Sequence, residues 1–105
     1  MRRAKRIAVR VNGDEYWLDA REIAILLVLA WRGETHLTTL TVAAGPSYTA
    51  TIRRLKRLKR LGLVEETSAL TPRRHIRTFT LTEKGRRAVE VVEELGRRYG
   101  ITRPA

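Results

Sequence analysis

The sequence predicts a single α+β domain, mainly helical, and three observations predict it. An Asn12-Gly13 pair stands between two short strand-like runs. Three longer segments repeat apolar residues at helical spacing between cap and stop signals. Between the last two of them lie two more strand-like runs, Leu63 to Thr67 and Ile76 to Leu81, joined by a turn-rich stretch with Pro72. A chain of 105 residues with 43% apolar content has room for one core and not for two. The expected organisation is a flexible basic N-terminus over 1–6, one domain over 7–99 and a short tail over 100–105.

Ile7, Val9 and Val11 alternate at period 2, and Tyr16-Trp17-Leu18 follow the Asn-Gly pair, whose residues tolerate positive φ, so a hairpin is expected. Asp19 and Glu22 have capping-box spacing, which starts a helix that runs to about Arg32 and stops at Gly33. This helix is apolar nearly all round and belongs in a core or against a second subunit. Residues 36–44 hold β-branched residues, yet Leu37, Leu40, Ala43 and Ala44 recur at helical spacing, so a short helix is expected before Gly45-Pro46. Pro46 suits the opening of the next helix, 46–61. Thr51, Leu55 and Leu58 share one arc of it, and Thr49, Arg53, Lys56, Arg57 and Arg60 lie opposite. Gly62 ends it. Thr82 caps a last helix with Ala88, Val89, Val92 and Leu95 on one face.

The charge is uneven. The net charge is +11, and residues 46–62 hold six cations and no acid, whereas an ordinary surface helix mixes the signs. A polyanion is the expected partner. The absence of Cys excludes disulfides, thiolate metal sites and thiol catalysis, and His36 and His75 show no ligand spacing, so no cofactor or metal is expected. The longest apolar run, Ile23 to Trp31, is nine residues, too short to span a membrane, and no secretory signal is visible. A cytoplasmic, nucleoid-associated protein with no membrane partner is expected. The acids give no catalytic constellation: Glu65 and Glu66 point to opposite faces of a strand, and Glu90, Glu93 and Glu94 pair with nearby arginines along a helix. An enzyme is not expected.

In this order and spacing, the run from Leu37 to Glu65, ending Leu58-Lys59-Arg60-Leu61-Gly62-Leu63-Val64, and the later Leu81-Thr82-Glu83-Lys84-Gly85 resemble winged helix-turn-helix transcription regulators of the MarR and PadR types. The resemblance covers roughly residues 20–95. It implies a sequence-specific regulator of double-stranded DNA whose recognition helix, 46–61, enters the major groove and whose basic wing, 67–77, meets backbone or minor groove. Ser47, Tyr48, Thr49 and Arg53 would read bases, Arg53 by a bidentate contact to guanine. Lys56, Arg57, Arg60, Arg73, Arg74 and Arg77 would meet the DNA backbone. Tyr48 sits at the edge of the buried arc, so packing under the turn is an equal reading for it. Arg54 and Lys59 lie toward the core flanks, and Trp17 and Trp31 read as core or interface aromatics. The family commonly pairs into two-fold dimers, and the surplus apolar surface of helix 20–32 supports a homodimer.

The chain is shorter than MarR-type proteins usually are, which counts against a small-molecule effector. The alternative on the same fold is a non-specific architectural protein of the nucleoid. Arg2, Arg3, Lys5 and Arg6 fit an arm on DNA or a solvated tail. Gln is absent and Asn12 is the sole Asn, which points to an archaeal or thermophilic source.

Overall fold

A computed structural model of the chain describes residues 5–45, 47–70, 72, 73 and 75–98. The cationic residues 2 and 3, Pro46, Arg74 and the tail expected over 100–105 lie outside the described residues. Strands β1 (Arg6–Val11) and β2 (Asp14–Asp19) form the expected antiparallel hairpin. Asn12 and Gly13 take φ of 50° and 88°, as a two-residue turn requires. The pleat turns Val9, Val11, Tyr16 and Leu18 inward and leaves Ala8, Arg10, Glu15 and Trp17 outside. Trp17 is thus half-exposed and not a core aromatic, with its Nε1 donating to Glu15 at 3.1 Å.

Helix α1 (Ala20–Arg32) opens with the expected capping box: Asp19 accepts the Glu22 N–H at 2.8 Å and Glu22 accepts the Asp19 N–H at 2.9 Å. Gly33 closes it at φ 76°, donating to the Leu29 carbonyl. A two-residue strand, β3 (Thr35–His36), follows, and then helix α2 (Leu37–Ala44). The β-branched residues of α2 do not make it a strand, because only a helix puts Leu37, Leu40 and Ala44 together in the core. At its end Arg21 donates to the Ala44 carbonyl at 2.6 Å, and Gly45 at φ 123° leaves space for that guanidinium. A Cβ there would stand 1.8 Å from Arg21 Nη1.

Helix α3 (Tyr48–Arg60) buries Thr51, Leu55 and Leu58. Its N-cap is Ser47, whose hydroxyl accepts the Ala50 N–H at 3.1 Å. Strands β4 (Val64–Leu70) and β5 (His75–Leu81) form an antiparallel ribbon, and β3 pairs with the other edge of β5, giving the order β3-β5-β4. Helix α4 (Glu83–Arg98) closes the domain on α1 and β1. Phe79, Leu18, Ile25, Leu26, Leu40, Leu55, Leu58 and Leu63 are the largest apolar side chains buried in the core of the domain.

The two motifs that carried the resemblance meet in space. Thr82 donates its N–H to the Leu63 carbonyl at 3.1 Å and its hydroxyl to the Gly62 carbonyl at 2.5 Å, while its Oγ accepts the Gly85 N–H at 3.0 Å. One threonine therefore caps α4 and ties it to the loop that ends α3.

Candidate nucleic-acid interface

The apolar stripe of α3 faces the core, and the remainder of its surface is set by geometry. Thr49, Arg53, Lys56 and Arg60 are exposed, and Tyr48 is 52% exposed in the first turn. Among the described residues Arg53, Lys56 and Arg60 form no ion pair. Their charges face water with no internal neutralisation, which favours an anion. Ser47 stands at the head of this stripe, where its hydroxyl oxygen already serves the helix cap.

Arg57 departs from the expected outward set. Its Nη1 lies 2.8 and 2.7 Å from the two carboxylate oxygens of the buried Glu22, and its Nη2 donates to the Trp17 carbonyl at 2.7 Å. Arg57 thus forms an internal ion pair, because an uncompensated buried carboxylate is costly. Arg54, one turn earlier, bonds the other capping-box acid, Asp19, at 3.2 Å. Wheel geometry on α3 alone does not show this, since both acids lie 35 residues away.

In the wing, Arg73 is exposed near the tip, and Arg74 lies outside the described residues. Arg77 points onto the ribbon: it donates to Glu66 from Nε at 2.5 Å and from Nη2 at 3.1 Å, with its guanidinium 5.7 Å above the Phe79 ring. Lys59 of α3 reaches the same carboxylate at 2.7 Å, and Ser68 donates to it at 3.2 Å. The Arg77 hydrogen bond, helped by Lys59 and opposed by burial, holds the Glu66 carboxyl at about 2, well below its ordinary value. Glu66 thus joins both wing strands to the end of α3. A depressed folded-state pKa gives stability that is complete above the unfolded value and is lost as pH falls through about 4.5 toward 2. Glu66→Gln is expected to lower stability by about 1–2 kcal/mol at neutral pH. Thermal melts of both proteins down the pH scale should converge near the bottom of that window; a constant gap would count against the linkage.

Tyr48 and Arg77 are brought to one open groove of about 690 Å³, lined also by His36, Leu37, Thr38, Thr39 and Ile76. It joins the start of α3, the wing and the start of α2. The first turn of α2 carries no acid, and its N-cap His36 makes no side-chain cap bond, so its end is electropositive. His36, Thr38 and Thr39 line this groove, although no charge run in the sequence marks them.

No family model matches the chain, and no curated protein matches it. Solved structures do. A MarR family transcriptional regulator from Silicibacter pomeroyi superposes with a TM-score of 0.69 at 22% identity, over 79% of this chain and 54% of that one. The Mycobacterium tuberculosis transcriptional regulator MosR, solved with DNA, gives 0.65 at 25% identity over 79% and 59%. Bordetella bronchiseptica BpsR, a protein whose DNA binding is regulated by 6-hydroxynicotinic acid, gives 0.64 at 25% over 83% and 69%. The chain thus spans between 54% and 69% of the length of these three. No helix among the described residues is long and apolar enough to cross a membrane, and no group of three potential metal ligands is found among them. With TM-scores of 0.64 to 0.69 against these three and its own order of helices and wing strands, the chain has the winged helix-turn-helix fold of the MarR-type transcriptional regulators.

Proposed function

We propose that the chain is a sequence-specific transcription regulator of double-stranded DNA, with α3 in the major groove and the wing on backbone or minor groove. The observation that carries this is the exposed face of α3, where Arg53, Lys56 and Arg60 stand unpaired among the described residues beside Tyr48 and Thr49. Thr49, Tyr48 and Arg53, nearest the helix start, read base edges, with Ser47 holding that start. Lys56 and Arg60 meet phosphates, as do Arg73 and Arg74 on the wing. Arg77 holds the wing through Glu66 while bordering the groove beside Tyr48.

The protein acts as a homodimer on half-sites about 34 Å apart. The half-exposed Trp31 and the partly buried Ile23, Leu27, Val28, Val91 and Val92 supply apolar surface for the pairing. It works in the cytoplasm on the nucleoid, without catalysis. Its ion-paired surface and scarcity of amides suit a thermophilic source, for which the melting midpoint would exceed about 65 °C.

Binding to duplexes enriched by selection and to random duplexes, each at two salt concentrations, tests the reading. A regulator prefers its selected site by about 10³ or more. Equal affinities with a steep salt slope would instead establish the architectural alternative.

A further inference from the structure

The core side of α3 is a stripe of Thr51, Leu55 and Leu58, and apolar packing of that kind resists separation better than it resists rotation about the helix axis. Hydrogen-bonded ion pairs are directional. Two of them, three residues apart on α3, close on the two acids of the α1 capping box: Arg54 on Asp19 at 3.2 Å and Arg57 on Glu22 at 2.7 and 2.8 Å. Glu22 is 1% exposed, and each acid also holds a backbone N–H of the cap, so neither carboxylate can swing to follow a moving arginine. The second nitrogen of Arg57 fixes the Trp17 carbonyl at the end of the hairpin, so three elements meet on one guanidinium.

We propose that Asp19, Glu22, Arg54 and Arg57 are positioning residues for DNA recognition. The α1 capping box sets the rotation of α3 and so the direction in which Thr49 and Arg53 reach base edges, while none of the four touches DNA. A buried ion pair adds little net stability compared with an apolar pair of similar size, and its role here is orientation. The inference rests on the DNA-binding reading above and assigns Arg57 the opposite role to a phosphate contact.

The decisive comparison is the wild-type chain against Glu22→Gln/Arg57→Met, which removes both charges together and keeps the volume and the cap acceptor. Affinity for the selected duplex and for a random one is measured over a range of salt. The double variant is expected to melt near the wild type, to lose about 10-fold in preference for the selected duplex, and to keep the wild-type salt slope. A slope lower by about 1 with preference intact makes Arg57 a direct phosphate contact and overturns the proposal. Unchanged preference and slope overturn it too, leaving the pairs a purely structural role. Arg57→Lys keeps the charge but cannot bridge Glu22 and the Trp17 carbonyl in a fork, and serves if the double variant does not fold. It too should lose preference at constant slope, and wild-type preference in it overturns the proposal. A wild-type chain that binds no duplex overturns the DNA reading and this inference with it; wild-type binding followed by either contrary result overturns this inference alone.

Discussion

Gly85→Ala is expected to be the most damaging single substitution for folding. A Cβ at that position would stand 2.0 Å from the Leu63 carbonyl oxygen and 3.0 Å from its carbon, both backbone atoms that cannot turn aside. The Leu63 carbonyl also accepts the Thr82 N–H, so moving it breaks the tie between the α3 exit and the start of α4. Overpacking against fixed backbone costs upward of about 3 kcal/mol, which in a domain of this size lowers the melting midpoint by at least roughly 10 °C. The gain in helix propensity from Gly to Ala, up to about 1 kcal/mol, does not offset that. Circular dichroism melts decide the matter: a midpoint at or above the wild type would mean that α4 does not approach Leu63 this closely.

The second large effect concerns binding. Arg53→Ala/Lys56→Ala/Arg60→Ala removes three exposed cations that have no ion-pair partner among the described residues, so folding stability should shift by no more than about 1 kcal/mol. Duplex affinity should fall by at least about 10²-fold at moderate salt. The slope of log affinity against log salt should drop by about two, since Lys56 and Arg60 are the phosphate contacts removed and each contributes about 0.9. Arg53→Ala alone should also relax the preference at one base position. Affinity and slope that survive the triple substitution would remove α3 from the interface.

Much of the frame was legible because its signals are local. Asn12-Gly13 between alternating runs fixes a two-residue turn, and Asp19 with Glu22 fixes the start of α1, with no help from distant residues. The leucine stripe of α3 likewise needs only the helical period. What the sequence hid depends on partners far along the chain. Arg57 looks outward on a helical wheel, and only the fold brings it to Glu22, a carboxylate that capping-box spacing identified but whose burial nothing local reveals. Glu66 read as one of two strand acids, whereas the ribbon puts it between Lys59 and Arg77 and makes it the wing's anchor. β3 is only two residues long and exists because β5 has a free edge at Phe79 and Thr78, so it left no periodicity to find. Trp17 reads in sequence as a core or interface aromatic, and the register of the hairpin, not its hydrophobicity, puts it on the outer face.

Placement of the start of α3 in the major groove is open to a direct test. The chain has no Cys, so Thr49→Cys offers a single attachment point, exposed in the first turn of that helix, for a tethered hydroxyl-radical cleavage reagent. On the selected duplex the tethered protein should cleave both strands at one narrow position centred in a major groove, repeated about one helical turn away if two subunits are bound. A Glu90→Cys control, exposed on α4, should leave that position uncut. Cleavage spread evenly along the duplex from Thr49→Cys, or localised cleavage from the α4 control instead, would contradict that placement.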